Sequence, residues 1–229
     1  MICGSIDAPW SKRFYLRALL GCRKMKKIVI FGSTGVTGLC AVEAAVKKGL
    51  QVCAFLRDPA KLSDHLKDKV EIFKGDVLEP DSVANAVEGN DGVVVTLGTR
   101  SSLEPTSDLS EGLKNILDAM RAKNVKNIAV CMSAFLFYEP DKVPEKFIPL
   151  TDDHRRMYEA LKESGLNWVA VFPPHISEDP SREIIVEINP QKSPGRAISK
   201  WDLGAFMVDA VFESKYYQSV IGLCNVPKQ

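Results

Sequence analysis

Residues 27–49 read KIVIFGSTGVTGLCAVEAAVKKG, and the reading of this stretch decides the fold. It opens on an apolar, β-rich run, Lys27–Phe31. Three glycines follow at even spacing, Gly32, Gly35 and Gly38, and a helical pattern occupies Val36–Lys48. Strand, glycine loop and helix in that order predict the first βα unit of a parallel sheet that binds a phosphate-bearing ligand outside its strand ends. Gly32 lets the chain turn sharply, Gly35 lets backbone approach a pyrophosphate, and Gly38 lets the helix pack close to the sheet. The first N–H groups of the helix lack partners within it and sit at its positive end, which favours an anion. Thr34 and Thr37 add hydroxyl donors. The lysine of a P-loop (GxxxxGK followed by Ser or Thr) is missing, which argues against nucleoside triphosphate hydrolysis.

Outward from this unit the alternation continues. Gln51–Leu56, Val70–Lys74, Gly92–Leu97, Asn127–Met132 and Trp168–Phe172 are nearly continuous apolar runs, as expected for strands covered on both faces. Between them lie helical patterns at Pro59–Lys67, Pro80–Glu88, Asp108–Lys123 and Thr151–Ser164. The whole predicts an α/β fold: one Rossmann-like, doubly wound parallel sheet with helices on both faces, over residues 25–229. Beyond Pro173, Glu183–Ile188 reads as an extra strand and Asn189–Gly195 as a turn-rich loop. Ser199-Lys-Trp-Asp202 reads as a capping box opening a further helix, and a last strand falls near Ser219–Cys224.

Composition narrows the partners. Of 229 residues, 45% are hydrophobic and 26% charged, and the formal net charge is +1. No global field points to nucleic acid or an acidic membrane, and no apolar run approaches the roughly 20 residues of a membrane helix. The six cysteines (Cys3, Cys22, Cys40, Cys53, Cys131, Cys224) are scattered, without a CxxC pair or a Cys/His cluster at metal spacing. They predict a reducing, cytoplasmic setting with neither disulfides nor a bound metal. Residues 1–24 are basic, with Asp7 their only acid. They read as a disordered extension, with a mitochondrial transit peptide as the alternative.

The strand ends supply the candidate ligand contacts. Arg57 closes the second strand, where a cation accommodates the 2′-phosphate of NADP, and Lys61 stands nearby on the next helix. A guanidinium can grip phosphate through a fork and stack on adenine, so NADPH is the expected cofactor. The adjacent Asp58 keeps NAD open. Asp76 ends the third strand, placed to accept from an adenine amino group with Val77 against the ring, or else to serve as a turn residue. Gly98 and Thr99 end the fourth strand, where a bare glycine permits close approach of ribose and pyrophosphate. Arg100 reads equally as a ligand contact or a solvated loop cation.

GSTGVTG, LRDPAKL, GDV, LGTR, CMSAF, TDDHRRM, ESGLNWVAVFPPHI and ISKWDLG follow in one order. From Met25 to about Gly222 the chain resembles the NADPH-dependent flavin reductase, or biliverdin IXβ reductase, family of atypical short-chain dehydrogenases/reductases. The CMSAF, TDDH and PPHI segments are the specific part of the match. The resemblance implies a monomeric protein that passes hydride from NADPH to flavins or biliverdin. It implies cofactor contacts at Gly32, Thr34, Gly35, Val36, Thr37, Arg57, Lys61, Asp76, Val77, Gly98 and Thr99. It sets His154, His175 and Ile176 at the nicotinamide end, and it matches Ser133 to the family's active-site serine. Lys61 departs from the pattern, standing where an arginine is more usual.

Short-chain dehydrogenases use a Tyr-x-x-x-Lys pair, and this spacing occurs twice, at Tyr138–Lys142 and Tyr158–Lys162. Pro140 interrupts the first. The second lies on a good helix, but counting back from Ser164-Gly165-Leu166 in the relatives' register puts Leu150 at the tyrosine and His154 at the lysine. The usual proton donor is therefore expected to be absent, with Tyr158 as the alternative. Ser133 can bond nicotinamide or substrate, or merely cap a turn. Phe135, Phe137 and Trp201 are candidates for a ring-binding wall, or for ordinary core packing. A hydrolase triad from Ser133, a histidine and Asp152 or Asp153 is disfavoured, because no GxSxG elbow is present. A second function class also fits the loss of the Tyr/Lys pair: an NmrA-like, NADP(H)-binding redox sensor without turnover.

Overall fold

The computed structural model describes residues 25–99 and 102–227. The basic leader and Arg100 lie outside the described residues. The strands are β1 (Lys27–Phe31), β2 (Gln51–Leu56), β3 (Glu71–Lys74), β4 (Gly92–Val95), β5 (Asn127–Cys131), β6 (Asn167–Phe172), β7 (His175–Ser177), β8 (Ile184–Ile188), β9 (Ala197–Ser199) and β10 (Ser219–Asn225). The helices are α1 (Val36–Lys47), α2 (Asp64–Lys67), α3 (Pro80–Val87), α4 (Asp108–Ala122), α5 (Ile148–Lys162) and α6 (Lys200–Ala210).

Eight strands form one sheet in the order β3-β2-β1-β4-β5-β6-β10-β8. All neighbours pair in parallel except β8, which runs against β10. The apolar runs are continuous because both sheet faces are covered. Along β1, Val29 and Phe31 enter a core built with α3, α4 and α5, whereas Ile28 and Ile30 enter a second core built with α1, α2 and α6. All four are fully buried, which stabilises the fold by about 1.5–3 kcal/mol per side chain. Strand order reverses between β1 and β4, and ligands of open parallel sheets bind at the carboxyl edge beside such a switch point.

Three sequence readings shift. The pattern at 59–67 is two pieces: a 3₁₀ turn at Pro59–Lys61, then α2 after extended residues Leu62 and Ser63. Pro at the start and an Asp58 side chain accepting from the Ala60 N–H at 3.0 Å close the first turn tightly. The helix expected from Thr151 begins at Ile148, with a proline in its first turn. The capping box is half formed. Ser199 Oγ accepts from the Trp201 N–H at 3.4 Å, but Asp202 does not reach back. Asp202 Oδ2 instead accepts from the Arg182 N–H and from Asn225 Nδ2, and Asn225 Oδ1 takes the Ser199 N–H at 2.6 Å. A neighbouring strand thus supplies the reciprocal arm.

Candidate dinucleotide site

Gly32, Thr34, Gly35, Arg57, Asp76, Val77, Gly98, Thr99 and Ser133 follow the carboxyl ends of β1 to β5, which the parallel sheet brings to one edge, whereas Val36 and Thr37 open α1, His154 lies on α5 and His175 and Ile176 lie on β7. Gly32 has φ +80°, and a Cβ there would sit 2.4 Å from Thr96 O, so the turn after β1 needs glycine twice over. A Cβ at Gly38 would lie 2.0 Å from Gly32 O, which explains why α1 can fold back so closely on the loop. Gly35 differs. The nearest protein atom to its Cβ position is Gly32 O at 3.3 Å, a close but not overlapping contact.

Gly35 is also the N-cap of α1, and no side chain caps this helix. Leu39 N–H makes the first bond back to Gly35 O, leaving the N–H groups of Val36, Thr37 and Gly38 ahead of it without helical acceptors. The first turn carries no acid, and Val36 is 58% exposed beside it. An uncapped helix start with a bare glycine before it fits a pyrophosphate. Two residues passed over in the sequence hold the loop in place. Ser33 is fully buried and donates to Phe55 O at 2.8 Å, and Thr96 donates to Phe31 O at 3.0 Å. Both hydroxyls serve the scaffold, tying the loop to the ends of β2 and β1.

On the β2–β3 side, Arg57 is largely exposed, with Nη1 3.9 Å from Asp76 Oδ2. Asp76 Oδ1 accepts from the Leu78 N–H at 3.1 Å, so this carboxylate shapes a turn as well as facing Arg57. Lys61 Nζ lies 3.7 Å from Asp58, whose other oxygen caps the 3₁₀ turn. Val77 leans on Gly112 of α4, where a Cβ would come within 2.7 Å of its methyl. Gly98 has open space at its Cβ position, and Thr99 Oγ1 donates to Ser102 O at 2.6 Å.

Further along the sheet, Ser133 follows β5 and caps the 3₁₀ turn Ala134–Phe137, its Oγ accepting from the Phe135 N–H at 3.2 Å. Ala134 N–H donates to Pro173 O at 2.9 Å, which sets this turn beside the Pro173-Pro174-His175 segment. His175 is exposed at the start of β7, and Ile176 packs half-buried toward the α1–α6 core. His154, on α5, is only 6% exposed, and burial pulls its pKa down to about 4 against the opposing pull of Asp153. It is a neutral imidazole at physiological pH, and its buried Nδ1 has no protein partner.

The aromatic candidates divide. Phe135 stacks on Phe147 at 4.9 Å and meets Tyr138 edge-on at 5.7 Å, forming a partly exposed tray beside Ser133. Phe137 packs on Phe172 and joins the core. Trp201 opens α6 with Lys200 Nζ 5.1 Å above its ring. Tyr158 packs edge-on against Trp168 and Phe172, with Lys162 Nζ over its ring at 4.7 Å. Burial pushes its phenol pKa up, opposite to what an activated tyrosine acid needs. Asp153, fully buried, is committed to the Leu109 N–H and Arg156, and Asp152 faces Arg155, so no triad assembles. Cys131 is buried, and desolvation drives its thiol up to about 12, too high for a nucleophile. Cys40, Cys53 and Cys224 are likewise buried and free. Among the described residues no cluster of His, Cys, Asp or Glu could hold a metal ion, and no helix is long and apolar enough to cross a membrane.

Sheet order, glycine loop and uncapped helix start together define a Rossmann-like dinucleotide-binding protein. Residues 32–214 match the NAD(P)H-binding family, and the chain belongs to it. Its cofactor is NAD(P)H. An oxidoreductase of Pestalotiopsis microspora is 24% identical over 228 residues, covering 88% of this chain and 86% of its own length. A chloroplastic protein of Arabidopsis thaliana of uncharacterised function is 28% identical over 172 residues, which span 69% of this chain but only 61% of that relative. Among solved structures, an anaerobilin reductase of Escherichia coli O157:H7 superposes with a TM-score of 0.74 at 17% identity, covering 89% of this chain and 99% of that one. At that identity the likeness concerns the fold.

Proposed function

We propose that the protein is an NADPH-dependent oxidoreductase whose acceptor is a planar conjugated molecule, a flavin or a linear tetrapyrrole such as biliverdin. The observation that carries this reading is the missing acid. Where the related dehydrogenases keep their Tyr/Lys pair stand Leu150 and His154, and His154 is neutral and buried. Tyr158 is packed away on Trp168 and Phe172. A carbonyl acceptor needs a positioned proton donor as the hydride arrives, whereas a conjugated ring takes the charge into its own π-system. The cofactor supplies the hydride. The chain binds and orients: the α1 start holds pyrophosphate, Arg57 and Lys61 face the 2′-phosphate, and Asp76 and Val77 flank the adenine. Gly98 and Thr99 border the ribose, and His154 Nδ1, His175 and Ile176 border the nicotinamide.

The stacked Phe135/Phe147 pair, with Tyr138 standing edge-on beside it, offers apolar surface to the acceptor, with Ser133 two residues before Phe135 to hydrogen-bond substrate or nicotinamide. The names of the Pestalotiopsis oxidoreductase and of the anaerobilin reductase agree with this class. The four buried free thiols suit a reducing cytoplasm, and nothing in the reading requires more than a monomer.

The test is turnover of the purified protein with NADPH and either FMN or biliverdin, followed by loss of NADPH absorbance. Steady turnover is expected, faster with NADPH than with NADH, and Ser133→Ala lowers kcat/KM by about tenfold, the worth of one good hydrogen bond. Tight NADPH binding without turnover on either acceptor overturns the reductase and leaves a dinucleotide sensor.

A further inference from the structure

α4 begins with one local cap, Thr106 Oγ1 accepting from the Asp108 N–H at 3.0 Å. Ser107, its N-cap, makes no side-chain hydrogen bond to the helix. The next N–H is capped from 44 residues away: Asp153 Oδ2, on α5, accepts from the Leu109 N–H at 3.1 Å. Asp153 is fully buried, so its charge must be matched. Arg156, one turn further along α5, meets Asp153 Oδ1 at 3.0 Å. The same guanidinium nitrogen donates to Thr106 O at 2.8 Å, and Nε reaches Ser110 Oγ at 3.5 Å. Thr106 lies in the stretch that leads from the β4 end into α4. The residue after Asp153 is His154, buried on α5 and assigned to the nicotinamide end in the proposed function.

We propose that Asp153 and Arg156 form a positioning clasp that sets cofactor affinity. The clasp fixes the approach to α4, and with it the β4 end carrying Gly98 and Thr99, to the helix that carries His154. Neither residue touches the cofactor. Each acts by holding these two elements at one separation, so that ribose and nicotinamide contacts are made together. Thr106 caps the Asp108 N–H locally, but the Leu109 N–H keeps its acceptor only while the two helices are docked. This inference uses the proposed placement of NAD(P)H along the carboxyl edge and does not depend on which acceptor is reduced.

The test uses Arg156→Ala, Arg156→Lys and Asp153→Asn in the full chain. NADPH dissociation constants come from titration calorimetry, and amide hydrogen exchange is followed over residues 102–111. Arg156→Ala is expected to weaken NADPH by about tenfold, the value of a charge-assisted hydrogen bond, and to speed exchange at Leu109 and its neighbours. Turnover at saturating NADPH stays within about twofold of the parent, so the loss appears in KM and not in kcat. Arg156→Lys restores part of the affinity through one retained contact. Asp153→Asn keeps an acceptor for the Leu109 N–H but loses the charge, and falls between. If Arg156→Ala does not fold, the two conservative variants decide. NADPH affinity unchanged within about twofold in all folded variants, with only a lower melting temperature, overturns the clasp and leaves a merely structural pair. Normal binding without turnover in the parent would instead sink the reductase and leave the clasp standing.

Discussion

At the scale of single residues, the glycines of the first loop separate stability from binding. A Cβ at Gly38 would lie 2.0 Å from Gly32 O and one at Gly35 3.3 Å from the same oxygen, so the same substitution should fail in different ways. Gly38→Ala forces a Cβ into backbone at 2.0 Å and is expected to cost about 1–3 kcal/mol, read as a lower denaturation midpoint. Gly35→Ala meets protein only at 3.3 Å and should melt near the parent, yet it should lose most NAD(P)H affinity because its methyl stands where the pyrophosphate would approach. His154 makes the second residue-scale prediction. Its pKa lies near 4 in the folded chain against an ordinary 6.5, so the unfolded chain takes up the proton first as pH falls. Its contribution is whole above about 6.5 and is lost progressively down to about 4, at no more than about 1.4 kcal/mol per pH unit, with no further loss below. Denaturation midpoints should fall with acid across that window, and His154→Gln should flatten that dependence on pH.

At the scale of elements, the reason some features were legible and others were not is physical. The order βαβ was readable because strands covered on both faces are apolar without alternation, and Ile28 to Phe31 bury every side chain whichever way it points. The glycine loop was readable because its spacing encodes a local turn. The capping box at Ser199 misled because its partner lies across space: Asn225, at the end of β10, holds the Ser199 N–H and gives its amide to Asp202 and to Arg182 O. The Asp153 cap on the Leu109 N–H was invisible for the same reason, since nothing near Ser107 announces Asp153. Ser33 and Thr96 were passed over because a short hydroxyl after a strand looks like any turn residue until its acceptor is seen. The split at residues 59–67 follows from Asp58, which closes a tight turn locally before Ser63 starts the next. From the Asn225 network comes an element-scale expectation. Asn225→Ala leaves the Ser199 N–H and Asp202 short of partners in a buried setting and should cost at least ~2 kcal/mol by chemical denaturation. Ser199→Ala, which removes the weaker cap contact at 3.4 Å and the hydroxyl's bond to Asp179 O, should cost about 1 kcal/mol.

At the scale of the whole molecule, charge is nearly balanced, with a formal net charge of +1. No net charge draws a polyanionic cofactor, so under the proposed function discrimination between NADPH and NADH arises locally, at the β2 and β3 ends. There Arg57 and Lys61 each face a carboxylate, Asp76 at 3.9 Å and Asp58 at 3.7 Å, and both cations are substantially exposed. These are loose pairs that a bound 2′-phosphate would displace, gaining a stronger anion for each cation at little cost in broken contacts. Exposure also makes the gain sensitive to salt, because the screening length falls from about 30 Å at 0.01 M to about 10 Å at 0.1 M ionic strength. KM for NADPH should therefore rise with added salt while KM for NADH stays nearly level. Arg57→Ser should raise KM for NADPH by about tenfold, leave NADH unaffected and remove most of the salt dependence. Asp58→Asn keeps the oxygen that caps the 3₁₀ turn but frees Lys61, and should move selectivity toward NADPH. Steady-state kinetics with both cofactors at two ionic strengths measure all three. Equal salt dependence for NADPH and NADH would show that the 2′-phosphate is not read at this edge, and Arg57 would then be an ordinary surface cation beside Asp76.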